Sequence, residues 1–282
     1  MVRSTELIGS IQQSLSPEDW RILGPAITEL NKQQGRRARK SILAEINAII
    51  IETALKINNP TLVAAIPDIQ GNEIERIFSQ ITRQHINTKN DAWLTAFLAL
   101  SQKLEKKSNQ SRIFAMAARD LIDAGVTDAD ESFIATGMIM LNRISFRKYH
   151  SEIMIDVIPL LIVWAVTTRD KKILHTCLTL IQEIGDISKR SILHAELVKA
   201  LATIAVLDHD RTSFINSIRS TTEIHQKIRR QQCLVFILER GVKSHFGKEM
   251  TDIPRFMSLF SDLPPDPYLE LISTLAGQVL DR

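Results

Sequence analysis

Aspartate recurs at 130, 170 and 210, and each one opens a segment that aligns on the other two without a gap. The fifth position is Ile134, Leu174 or Phe214, the ninth is Met138, Leu178 or Ile218, and the fifteenth is Ile144, Ile184 or Ile224. A 40-residue step held over three copies leaves few folds open, because self-similarity at this period marks stacked supersecondary units. Inside each copy the apolar residues step by three and four. Phe133, Ile134, Gly137, Met138 and Leu141 form one stripe, and Ile173, Leu174, Cys177, Leu178 and Ile181 form the next. Such spacing puts each set on one face of a helix. A second, longer helix follows each segment, over 147–167, 188–206 and 226–241. A further copy is expected from Asp252, Phe256 and Phe260, at a step of 42, and a last helix from Asp266-Pro267, with Leu269, Ile272, Ala276 and Val279 on its stripe.

The links are short: Gly185-Asp186-Ile187-Ser188 between one pair of helices, Leu207-Asp208-His209-Asp210 between the next. Links of this length make neighbouring helices antiparallel. One pair leaves a second apolar face uncovered, so several must stack. That face is visible over 147–167, where Tyr149, Ile153, Val157, Leu161 and Trp164 lie on one side and Ile155, Ile158 and Ile162 on another. Pro159 stands inside this helix, and a kink or break is expected near Asp156.

On these residues the chain resembles α-solenoid repeat proteins, of the tetratricopeptide-like or HEAT-like kind. The resemblance is one of architecture and is clearer over 90–282 than over 1–89. The 34-residue tetratricopeptide consensus is not matched, and the proline and Asp-Val pairing of HEAT repeats do not recur clearly. What the resemblance implies is an all-α fold, a right-handed α-α superhelix (solenoid) of antiparallel helix pairs with about 40-residue repeats, and a scaffold or adaptor role. Residues 1–88 are expected to form an N-terminal helical region of divergent repeats, a cap or a small bundle, with helices near 4–14, 17–31, 36–56, 60–67 and 72–84. Residues 89–282 form the helical-repeat region, and the junction is placed at 85–90.

Glycine and proline, at 10 and 9 of 282 residues, leave few turns of the hairpin kind. Cys177 and Cys233 make neither a CxxC pair nor a disulfide framework. Both fall in apolar helical runs and read as buried free thiols in a reducing compartment. The N-terminus lacks the apolar centre of a secretory signal. The longest apolar run, Ile153–Val166, is short for a bilayer and is interrupted by Asp156. A cytoplasmic protein with no membrane partner is expected.

A net charge of +3 argues for no anionic partner by itself, so only clustering counts. Arg147-Lys148, Lys189-Arg190 and Arg229-Arg230 all fall near the start of the longer helix, and Arg36-Arg37 with Arg39-Lys40 sits similarly in helix 36–56. Cations there oppose the helix macrodipole by about 0.3–1 kcal/mol each. In a solenoid equivalent positions line up, so these pairs would make a basic ridge for an acidic partner, phosphate or nucleic acid. The competing reading has them paired with carboxylates such as Glu183 and Glu223, or simply solvated.

Other constellations are weaker. Asp208-His209-Asp210 gathers three potential metal ligands in one loop, but adjacent residues do not easily converge on one ion, and no metal-site spacing supports them. Glu152 and Asp156 are one turn apart, as on any solvated helix face. Trp20, Trp93 and Trp164 fall on apolar stripes and read as core. No catalytic motif, metal site or cofactor loop is found. The function expected is a non-enzymatic interaction scaffold or adaptor binding a protein or peptide on the solenoid surface. The alternative is a nucleic-acid-binding helical-repeat protein, on the pattern of the HEAT-like DNA glycosylases. Aromatics interleaved with the basic pairs are few, which disfavours stacking on single strands.

Overall fold

The computed structural model describes residues 9, 11–13, 15–33, 39–66, 69, 73–242 and 244. Among the described residues every regular element is a helix. In order these are α1 (Pro17–Gln33), α2 (Arg39–Lys56), a 3-10 helix (Pro60–Ala65), α3 (Glu73–Thr88), α4 (Asp91–Gln102), α5 (Lys107–Asp128), α6 (Glu131–Asn142), α7 (Arg147–Thr168), α8 (Lys171–Gln182), α9 (Ile187–Leu207), α10 (Arg211–Ser220), a 3-10 turn (Thr221–Glu223) and α11 (Lys227–Val242). The expected copy at Asp252, the helix opening at Asp266-Pro267, and Arg36-Arg37 lie outside the described residues.

The chain divides into two units, 1–153 and 154–282, with the division inside α7. In the first unit α1 packs on α2, α2 on the 3-10 helix and α3, α3 on α4 and α5, and α5 on α6. In the second unit α9 packs on α8, α10 and α11. A longer helix thus meets both its sequence neighbour and the next longer helix: α3 with α5, α9 with α11.

One turn geometry recurs. Lys89, Ala129, Arg169 and His209 take φ values of 52, 53, 59 and 56°, in the left-handed region. None is glycine, so each carries a steric cost of about 1–2 kcal/mol. Backbone bonding offsets it. The N–H of the following residue returns to the carbonyl five residues back, from Asp130 to Gly125 (2.9 Å), Asp170 to Ala165 (2.9 Å) and Asp210 to Ala205 (2.8 Å). This closes the helix as a Schellman turn does. That same following residue then caps the next helix. The side chains of Asn90, Asp130, Asp170 and Asp210 accept from backbone N–H groups of α4, α6, α8 and α10. The helix before the expected junction at 85–90 runs on to Thr88, and Lys89-Asn90 is a turn of this same kind.

The other connection, from shorter to longer helix, is closed by a buried aliphatic plug. Leu104, Ile144, Ile184 and Ile224 are all buried. Each donates its N–H to the carbonyl three residues back, in Ser101, Leu141, Ile181 and Thr221 respectively.

Cation–carboxylate pairs tie successive caps within each unit. Lys89 Nζ meets Asp130 Oδ2 at 2.7 Å, and Lys171 Nζ meets Asp210 Oδ2 at 2.9 Å. The Lys89 bond, helped by Ser132, holds the Asp130 carboxyl down at about 2, from an ordinary 3.8. Ser213 first, then Lys171, depresses Asp210 as well. A depressed folded-state value means that the unfolded chain binds the extra proton. The stability tied to Asp130 is therefore complete above pH 3.8 and lost as the pH falls to about 2. Asparagine at 130 keeps the cap but does not titrate. Asp130→Asn should flatten the fall of the urea midpoint between about pH 4 and pH 2, and an unaltered slope would show that Asp130 carries none of it.

The Pro159 break does not occur: α7 is one helix from Arg147 to Thr168. Pro159 is on its exposed side, while Val157, Ile158, Leu161 and Ile162 around it are buried and hold the helix through the missing bond. By length and apolarity α7 is the one helix among the described residues that meets the requirement for crossing a membrane, although the core helix of a soluble protein meets it equally. Trp93 and Trp164 are buried, whereas Trp20 is half-buried, its ring lying on Gly24.

Candidate cationic docking edge

The basic pairs sit where the spacing put them, at helix starts. In the first unit Arg147 and Lys148 open α7 and are exposed. Phe146, just before them, is also exposed, with its N–H bonded to Ser111 Oγ at 3.1 Å and its ring 5.9 Å from Tyr149.

The second unit brings two pairs together. Asp186 caps α9 by accepting from the N–H groups of Ser188 and Lys189 at 2.9 and 3.1 Å. Its charge offsets the macrodipole at the end where Lys189 and Arg190 stand. Across from it, Gln226 just precedes α11. Its Nε2 donates to Ser188 Oγ at 2.8 Å, while its Oε1 accepts from Arg229 Nε at 2.6 Å. Arg230 Nε donates to the Ile224 carbonyl at 2.9 Å. The relay from Ser188 through Gln226 to Arg229 fixes the start of α11 beside the start of α9.

Each arginine commits its Nε–H in this way and keeps its terminal NH2 groups, out of five donors in all. Glu223, one of the carboxylates weighed as a partner, is engaged elsewhere. Among the described residues no carboxylate oxygen lies within 4.0 Å of Lys189, Arg190, Arg229 or Arg230. Glu223 instead faces His194 Nε2 at 3.5 Å. His194 is buried, and burial pushes its pKa down. Glu223 works against that shift, and His225 and Arg190 add to it.

Sequence reasoning located the cations but missed Ser188 and Gln226, which are 38 residues apart and carry no pattern. It also missed two exposed isoleucines, Ile187 and Ile228, at the same helix starts. Their signal was present: both are apolar and both stand beside a basic pair, off the stripe of the helix they open.

The remaining sequence candidates are committed elsewhere. Asp208 and Asp210 both face Lys171 (3.2 and 2.9 Å), Asp210 accepts from Ser213 Oγ at 2.6 Å, and His209 is the left-handed residue of the turn. No group of three or more potential ligands fit to hold a metal ion occurs among the described residues. Cys177 and Cys233 are fully buried, and burial pushes both thiols up to about 12, so neither forms a thiolate near neutrality. Glu152 and Asp156 are exposed on α7.

No protein family matches the chain, and no curated protein or solved structure is significantly similar to it.

Proposed function

We propose that this chain is an interaction scaffold of the α-solenoid kind, a right-handed superhelix of helix pairs with 40-residue units, whose basic edge binds an acidic segment of a protein partner. One observation carries the reading: Lys189, Arg190, Arg229 and Arg230 are brought to one edge and left without carboxylates among the described residues. Cations that a fold leaves without a carboxylate, at positions where the helix dipole opposes them, keep charge available to a partner. The turns and plugs recurring from Asn90 to Ile224 support the repeat reading, and with it the lining up of equivalent helix starts. In this reading α7 is a core helix, and the buried thiols suit a reducing, cytosolic setting.

Reversing both charges, Arg229→Glu with Arg230→Glu, should weaken partner binding on the order of tenfold and remove its salt dependence. The test is capture from the native extract with nucleic acid digested. Wild-type chain should retain a protein that the variant loses. Capture that needs intact nucleic acid, and falls steeply with salt, would favour the nucleic-acid reading; equal capture by the variant would remove the basic edge from the function.

A further inference from the structure

We propose that the starts of α9 and α11 form one docking strip for an extended acidic peptide that carries aliphatic side chains between its carboxylates. The proposal rests on the scaffold reading above and adds the chemistry of the partner segment. Ile187 is 56% exposed and Ile228 is 70% exposed, the two highest values among the large hydrophobic side chains described. Ile187 is the first residue of α9, two before Lys189, and Ile228 is the second of α11, immediately before Arg229. Isolated exposed aliphatics are ordinary. Here the two stand at neighbouring helix starts joined by the Gln226–Ser188 bond, each beside an unpaired basic pair. Charge and apolar surface therefore alternate along one edge: Ile187, Lys189, Arg190, then Ile228, Arg229, Arg230.

The geometry favours an extended chain. Packed helices lie about 8–10 Å apart, and an extended backbone rises about 3.3 Å per residue. Carboxylates three residues apart thus step from one helix start to the next, and the side chain between them reaches an isoleucine. Arg229 and Arg230 are anchored at Nε, so their remaining N–H groups are held in place and suit the two-pronged binding of a carboxylate. A planar anionic membrane is the poorer fit. Asp186 and Glu223 are exposed at the borders of the strip and would meet the lipid charges, whereas a single peptide strand runs between them.

The test uses the full chain and two fluorescein-labelled peptides of equal charge, four repeats of Asp-Ser-Leu and four of Asp-Ser-Gly, followed by fluorescence anisotropy. The leucine peptide should bind about tenfold more tightly, the effect of burying one to two aliphatic groups. Ile187→Ser with Ile228→Ser should abolish that preference, leave the glycine peptide's affinity unchanged and leave the far-UV circular dichroism unchanged. Arg229→Glu with Arg230→Glu should weaken both peptides. Equal binding of the two peptides by the wild type would overturn the strip while leaving a charge-reading scaffold in place. Binding of neither peptide would overturn the strip as well, and the capture experiment would then decide the scaffold reading separately. Binding to phosphatidylcholine vesicles with about a third phosphatidylserine, lost in the double serine variant and exceeding peptide binding, would assign the strip to a lipid surface instead.

Discussion

Trp93→Ala should destabilise the first unit by about 3–5 kcal/mol, the range for truncating a large aromatic side chain in a packed core. Trp93 is the largest of the fully buried side chains among the described residues. Its loss opens a cavity among α4 and the elements packed on it, and it also removes a hydrogen bond. The indole Nε1–H donates to Asn58 Oδ1 at 2.9 Å, and Asn58 is itself held at a φ of 51°. The second bond to that oxygen, from Gln84 Nε2, is longer, at 3.4 Å. Trp93→Phe separates the two effects: it keeps most of the ring contact and removes only the donor, and because Asn58 is exposed its oxygen turns to water, so the cost should fall near that of one net hydrogen bond, about 0.5–1.5 kcal/mol. Urea denaturation read by far-UV circular dichroism measures both. A loss below about 1 kcal/mol in the alanine variant would show that the site collapses freely, against the packing described.

Gly137→Val should be the second most damaging change, costing about 3 kcal/mol, at the upper end for overpacking. A Cβ on Gly137 would stand 2.5 Å from Ile122 Cγ1 and 3.1 Å from the Ala118 carbonyl oxygen. Neither is the free end of a flexible side chain, so α5 and α6 would have to separate. Gly125 makes the reciprocal approach, with Ile134 Cγ1 2.9 Å from its would-be Cβ. Gly185 supplies the control, since a Cβ there meets nothing within 4 Å. Its substitution by alanine should leave the urea midpoint in place. In an Ile122→Ala background Gly137→Val should cost less than in the wild type, because the two sites share one contact. Strict additivity would rule out the clash as the cause.

Much of the architecture was legible, and what was not has a physical reason. Cap aspartates and apolar stripes are local signals, and Asp130, Asp170 and Asp210 cap the helices they were expected to open. The preceding turn, at Asn90, has the same geometry but escaped an alignment anchored on aspartate. Leu94, Leu98 and Leu104 stand at the same offsets behind it and would have extended the pattern. The left-handed residue before each cap was illegible, because none of Lys89, Ala129, Arg169 and His209 is the glycine or asparagine that marks such a turn. At Ala129, Arg169 and His209 the conformation is held by the returning N–H bond of the next residue and is not selected by the side chain. At the candidate site the basic pairs could be read, but their freedom from carboxylates could not. Whether Glu223 turns to Arg229 or to His194 depends on the packing of α9 beside the 3-10 turn, which no spacing records.

The turn at Lys89, Ala129, Arg169 and His209 has one more consequence. The residue after it both ends one helix and starts the next, so the connection holds no spare residue. A single inserted amino acid there would turn the following helix by about 100° and carry its apolar stripe out of the core. Variation in length is absorbed more readily on the other side of each pair, where four residues join the shorter helix to the longer in three cases and six, including a 3-10 turn, join α10 to α11. Differences in length among such chains would therefore collect at one end of the helices, the end that carries the basic pairs.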